Sequence, residues 1–307
     1  MLIDVSDGRC LEVQVDGPDD GLPLVWHAGT PNAGLLFPPL VDAAARRGLR
    51  TVIWSRPGYA GSTPQPGRRV ADIAADTARV LDALGAARFV TVGASGGGPH
   101  ALACATLLPD RCAAAASVAG VAPYPADGLD WLAGMGRENI EEFGAAMAGV
   151  PALTDYLEGY RPMLAGVQGT DVVAAFGDVA SEVDRQALTG QVADWVAESL
   201  RVAVSTGIAG WRDDDLAFVQ DWGFRPGGGA PVAIWQGGED RMVPYAHGQW
   251  LATHVPGARA HLLPAEGHLT LLITARERIL DDLLDLAGAA AGGGPGPAIQ
   301  RQEAVDQ

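Results

Sequence analysis

The sequence predicts an α/β protein: a mostly parallel sheet flanked by helices, with a helical cap inserted into it. Three observations carry this. Short apolar runs, each ended by Gly or Pro, recur along the 307 residues. Segments with helical spacing of apolar residues separate them. The alternation breaks once, between about residues 125 and 225, where helical segments follow one another without strand-like runs. Apolar runs bounded by turn residues suit strands buried on both faces. Strands alternating with helices build a parallel sheet covered on both sides.

The elements follow in order. "LIDVSDGRCLEVQVDG" opens the chain as two alternating segments around Asp7-Gly8, an antiparallel hairpin. "LPLVWH" (Leu22 to His27) and "RTVIWS" (Arg50 to Ser55) are the next strands. "VADIAADTARVLDALGA" places Ile73, Val80, Leu81 and Leu84 on a helical period and stops at Gly85. "RFVTVG", "AAAASVAG", "PVAIWQGG" and "ARAHLLP" are later strands, and "RERILDDLLDLAG" is the closing helix. The insertion includes "RENIEEFGAAMAG" and "VDRQALTGQVADWVAESLRVAV" and much of the bulky apolar content, Trp131, Phe143, Tyr156 and Trp211 among it. Such side chains form a small core of their own or wall a pocket against the sheet. The expected division is a core of residues 1–125 and 226–288, a cap of 126–225, and a disordered tail of 289–307, rich in Gly, Ala and Pro.

Composition narrows the function. The formal charge is −16, which disfavours nucleic acid and anionic membrane partners and favours solubility. All 21 basic residues are arginines, so mechanisms that need a lysine are excluded. Cys10, Cys104 and Cys112 have neither disulfide-framework nor zinc-site spacing. No apolar run has membrane-spanning length and no leader pattern opens the chain, so the expected location is the cytoplasm. No pattern specifies an oligomeric state.

"VTVGASGGGPHALA" (Val90 to Ala103) has three readings. A dinucleotide loop like that of short-chain dehydrogenases would sit at the first strand and go with a tyrosine–lysine pair, and a nucleotide P-loop would need a lysine to reach the phosphates. A plain tight turn is compatible with the glycines. The third reading is a nucleophile elbow, Gly93-Ala94-Ser95-Gly96-Gly97, a strained strand-to-helix turn that exposes a serine oxygen. A serine hydroxyl needs a base, and the base an orienting acid. Both follow in order, each after a late strand: Glu239-Asp240 in "PVAIWQGGEDRMVP" and His268 in "HLLPAEGHLTLL".

With "GASGGGPHAL", "IWQGGEDRMVP", "EGHLTLL" and "SRPGYAGST", the chain resembles the α/β-hydrolase fold superfamily from about Leu11 to Gly288, in particular capped serine hydrolases of the esterase and proline iminopeptidase branch. The resemblance implies a nucleophile Ser95, a base His268 and an acid Asp240, with Glu239 as the neighbouring alternative. "WHAGTPNAG" resembles the family's H-G-x-P loop, which implies oxyanion donors at the backbone of Thr30 and Gly96. It implies no cofactor and no metal. Ala28 stands where the family has histidine, and His27 lies one residue earlier, on the opposite side of an extended segment. His27 therefore either packs inward or faces the substrate.

The implied reaction is acyl transfer to water, with an ester of a small to medium apolar acid or alcohol as substrate. Aminopeptidases and carbon–carbon bond hydrolases are alternatives, as are a ligand receptor and a non-hydrolytic biosynthetic enzyme. Haloalkane dehalogenases and epoxide hydrolases use an aspartate nucleophile, which Ser95 speaks against. An aminopeptidase needs an acidic cap residue; Glu138, Glu141, Glu142 and Glu158 are the candidates, and solvated helix faces explain them equally. His100, His247, His254 and His261 read as packing or surface residues. Arg56 and Arg241 read as surface or loop-pairing residues. Asp213-Asp214-Asp215 reads as a helix N-terminus.

Overall fold

The computed structural model describes residues 1–292. Eight strands form one sheet: β1 (Leu2–Asp4), β2 (Cys10–Asp16), β3 (Leu22–His27), β4 (Leu49–Trp54), β5 (Phe89–Ala94), β6 (Cys112–Val118), β7 (Val232–Gly237) and β8 (Arg259–Leu263). Their spatial order is β1-β2-β4-β3-β5-β6-β7-β8. The opening hairpin is antiparallel, with Leu2 opposite Glu12, and β2 pairs antiparallel with β4. Every other pairing is parallel. Strands β5, β6 and β7 are buried along their whole length, which explains their near-continuous apolar sequences.

The first helices are α1 (Pro38–Ala45), α2 (Ile73–Ala83) and α3 (Gly98–Leu107). Between β6 and β7 lie α4 (Arg137–Ala148), α5 (Val150–Gly166), α6 (Val172–Phe176), α7 (Glu182–Ala187), α8 (Gly190–Ala203) and α9 (Ala209–Phe218). The chain then adds α10 (Tyr245–His254), α11 (Thr270–Thr274) and α12 (Arg276–Gly292). Val80 and Leu81 of α2, Leu102 of α3 and Leu251 of α10 pack into one core on one side of the sheet. Leu40 of α1 and Ile279, Leu280 and Leu283 of α12 pack into another. The segment between β6 and β7 has a cluster of its own, with Leu153, Leu157, Leu200 and Trp211. That cluster takes in Ala33 and Tyr59 from the loops above the sheet, so these helices sit over the carboxyl ends of the strands.

Two sequence expectations change. Residues 289–292 belong to the last turn of α12 rather than to a tail; the remainder of the expected tail, 293–307, lies outside the described residues. Asp213, Asp214 and Asp215 are not a helix N-terminus. They lie in the middle of α9, and all three are buried.

Candidate active site

Strand β5 ends where α3 begins, and Ser95 makes the turn with φ of 54°. A non-glycine residue in this region costs about 1–3 kcal/mol and needs surroundings that enforce it. The surroundings do so by crowding. A Cβ on Gly93 would overlap the Gly97 carbonyl, and a Cβ on Gly97 would overlap the His27 carbonyl of β3. The glycines let three backbone segments close on the turn, and Ser95 is left as the part-exposed residue among buried neighbours.

Ser95 opens into a cavity with two lobes. One lobe includes Thr30, Gly96, Phe143, Tyr156, Trp211 and Phe218 in its wall. The second includes Trp26, Ala28, Trp195, Leu269 and His268. Thr30, Pro31, Ser95, Phe176, Leu200 and Met242 border both.

Asp240 and His268 meet behind the second lobe. Their Oδ2 and Nδ1 atoms are 2.8 Å apart. Asp240 Oδ1 accepts from the amides of Met242 (2.9 Å) and Val243 (2.8 Å), and Oδ2 also accepts from Gln236 Nε2 (2.9 Å). The turn after β7 thus fixes the carboxylate before His268 reaches it, while Glu239 is exposed. Burial opposes the imidazolium of His268, but Asp240, reinforced by Asp184, outweighs it and moves His268 above its ordinary value. For Asp240 burial is the larger influence and moves the carboxyl up, against the pull of His268 and the Val243 amide. The hydrogen bonds among the described residues include Asp240–His268 but none between Ser95 and His268, although both line the second lobe. Such contacts are often loose without substrate.

Thr30 and Gly96 touch at the floor of the cavity, so close that a Cβ on Gly96 would overlap the Thr30 side chain. The Thr30 loop is clamped by a buried network that no local sequence pattern marks. Arg56 Nη1 donates to the Ala28 carbonyl (2.6 Å), and Nη2 to the Gly29 carbonyl (2.7 Å) and Thr30 Oγ1 (2.9 Å). Asp214 of α9 accepts from Arg56, Arg68, Tyr59 Oη and Thr30 Oγ1. Burial alone would raise the Asp214 carboxyl; Arg56 and Arg68 outweigh it and hold it well below the usual carboxylate range. Arg56 is therefore a loop-pairing residue, and fully enclosed.

His27 faces away from the cavity. Its ring packs edge-on against Trp54, with centroids 5.4 Å apart, and Nε2 lies 3.5 Å from Cys104 Sγ. Ala28, one residue on, lines the second lobe instead. The one-residue shift has reversed the side chain, which packs against Trp54 and Cys104. His100 is also buried, with Nε2 3.9 Å from Asp214 Oδ1, and burial lowers it to about 4. His247 of α10 accepts from the Ala122 amide at Nδ1, and its Nε2 lies 2.8 Å from the Trp131 carbonyl.

The structure also shows a carboxylate that no sequence pattern marked. Asp184 of α7 is fully buried against the loop carrying His268. It accepts from the amides of His268 (3.0 Å), Leu269 (2.8 Å) and Thr270 (3.2 Å), and from Ser181 Oγ (2.7 Å). Its sequence context is an ordinary helix start, so only the packing of α7 on α11 reveals it.

The comparisons with known proteins agree with this architecture. A family model described as alpha/beta hydrolase fold matches residues 23–274. The chain belongs to the alpha/beta hydrolase family. A non-heme chloroperoxidase of Streptomyces lividans is 32% identical over 148 residues, 48% of this chain and 54% of that one. Epoxide hydrolase B of Mycobacterium tuberculosis is 30% identical over 192 residues, 55% of this chain and 53% of that one. The chain thus spans about half the length of the curated relatives it matches. Among solved structures, the enol-lactonase of Burkholderia xenovorans superposes with a TM-score of 0.65 at 18% identity, covering 93% of this chain and 100% of that one. That likeness is one of fold. No helix among the described residues is long and apolar enough to cross a membrane. No cluster of three or more metal-ligating side chains occurs among them.

Proposed function

We propose that this hydrolase-family protein cleaves carboxylic esters or related acyl bonds of small to medium apolar molecules through an acyl-enzyme on Ser95. The observation that carries the reading is the strained Ser95, set at the junction of two lobes one of which is bordered by the Asp240-paired His268. In this reading Ser95 Oγ attacks the carbonyl carbon while His268 Nε2 takes the hydroxyl proton. Asp240 holds the Nδ1 side of the ring and stabilises the imidazolium. The backbone N–H groups of Thr30 and Gly96 receive the negative charge on the carbonyl oxygen, about 3 kcal/mol for each donor. The imidazolium returns its proton to the leaving alcohol, and water activated by His268 then releases the acid.

The placement of His268 sorts the lobes. The leaving group must sit beside the atom that protonates it, so the second lobe takes the alcohol. The first lobe, which His268 does not border, takes the acyl portion. A serine at the elbow, where an epoxide hydrolase carries an aspartate, favours ester over epoxide chemistry.

Turnover of a chromogenic short-chain ester by wild type and Ser95→Ala tests the reading. The expected loss is at least 10³-fold, from removal of the nucleophile. Equal rates would leave a ligand-binding protein on the same fold as the better account. Labelling with a fluorophosphonate and peptide mapping should place the adduct on Ser95; an adduct elsewhere rejects the assignment.

A further inference from the structure

The second lobe carries one polar side chain that the reaction above leaves unused. Besides its tryptophans, the lobe is bordered by four polar side chains, Thr30, Asn32, Ser95 and His268. Thr30 Oγ1 is committed to Arg56 and Asp214. Asn32 is held by the cap. Its Oδ1 accepts from Ser199 Oγ of α8 at 2.9 Å, and Ser199 is fully buried. The Ser199 carbonyl also accepts from the Ala33 amide at 3.4 Å, so α8 grips this loop at two neighbouring residues.

With Oδ1 turned to α8, the planar amide turns Nδ2 the other way. A Cβ on Gly29 would lie 3.2 Å from Asn32 Nδ2 and 3.3 Å from Ser95 Cβ, so the amide nitrogen and the nucleophile flank one point of the loop. Nδ2 donates to none of the described residues and is open to the lobe. A donor facing a largely apolar cavity is an unmade hydrogen bond until a ligand oxygen reaches it. Asn32 borders the second lobe and not the first. The bond it offers therefore goes to the portion that leaves, not to the acyl group.

Beyond Asn32 the surroundings become apolar. An adjoining chamber shares Trp26, Trp195 and Leu272 with the second lobe and is closed by Phe37, Val192 and Ile273. Trp195 Nε1 already donates to the Leu36 carbonyl at 2.9 Å. Among the described residues, no charged side chain, amide or hydroxyl lines this chamber. The second lobe thus presents a donor beside Ser95 and an apolar space further out.

We infer that Asn32 is a specificity-determining residue whose Nδ2 donates to an ether, hydroxyl or carbonyl oxygen on the alcohol portion of the substrate, close to the ester bond. The adjoining chamber takes the apolar tail beyond that oxygen. The inference rests on the assignment of the second lobe to the alcohol.

Hexyl butanoate and 2-propoxyethyl butanoate test it, because they differ only in one methylene replaced by oxygen. The ether-to-hexyl ratio of kcat/KM is compared between wild type and Asn32→Leu, which keeps much of the side-chain shape and deletes the donor. Intrinsic differences between the two alcohols as leaving groups cancel in that comparison. The ratio should fall about tenfold in Asn32→Leu, the effect of one hydrogen bond in a desolvated site. Thermal denaturation checks the fold, and Asn32→Ala stands in if Asn32→Leu does not fold. A ratio within twofold of wild type in the folded variant overturns the inference. So does a tenfold fall confined to esters with the ether in the acyl portion, butyl 3-propoxypropanoate against butyl heptanoate. Calorimetry of the first two esters on Ser95→Ala, with and without Asn32→Leu, reads the subsite without chemistry. Ester turnover by wild type with a ratio unmoved by Asn32→Leu sinks the subsite and leaves the hydrolase reading standing. A binding ratio that falls tenfold with Asn32→Leu, while wild type turns over no ester, supports the subsite and sinks the hydrolase reading.

Discussion

Asp184→Asn isolates the link between the cap and the proposed catalytic base. The wild-type carboxylate accepts two amides at Oδ1, from Leu269 and Thr270, and the His268 amide and the Ser181 hydroxyl at Oδ2. An asparagine keeps one acceptor oxygen and turns an NH2 group toward the other two donors. Two hydrogen bonds to a charged acceptor are lost, each contributing ~1.5–3 kcal/mol. Because the bonds share one loop their losses overlap, and the expected destabilisation is about 3 kcal/mol. The charge matters separately. Asp184 helps Asp240 raise His268, and a base works only when neutral, so wild-type kcat/KM should rise with pH through that raised value. Removing the negative charge lowers the pKa of His268 and moves the acid limb to lower pH, while mispositioning of the ring lowers the plateau. Urea denaturation and the pH profile of ester hydrolysis measure the two effects. A variant with the wild-type urea midpoint and an unmoved acid limb would refute this account of Asp184.

Three further outcomes follow from the same geometry. In wild type the acid limb of kcat/KM should have its midpoint above pH ~6.5, the ordinary histidine value; in Asp240→Asn it should move down and kcat should fall about 10⁴-fold, as for a base deprived of its orienting carboxylate. Asp214→Ala strands Arg56 and Arg68 in the interior and frees the Thr30 loop, so denaturation should show a loss of ~3–5 kcal/mol and rate measurements a lower kcat. Gly97→Ala drives a methyl group into the His27 carbonyl, and thermal denaturation should find the protein much less stable or unfolded.

The sheet was readable because its signals are local. The apolar runs from β3 to β7 and their terminating glycines lie within a few residues of one another, so spacing alone locates the strands. The elbow carries its signal in five consecutive residues, and the order of Ser95, Asp240 and His268 reflects the order of the strands that present them. The absence of lysine excluded phosphate-loop readings before any coordinates.

The rest depended on contacts between distant residues. Arg56 and Asp214 are 158 positions apart, and Asp184 and His268 are 84 apart, so no local spacing could pair them. The triple aspartate is deceptive for a related reason. A run of like charges predicts a solvated helix end unless its counter-charges are known, and those come from Arg56 and Arg68 in other elements. For His27 the sequence determined that its side chain opposes that of Ala28, because an extended strand alternates. Only the tertiary structure decided which side was core and which was cavity, since that depends on what packs against each face.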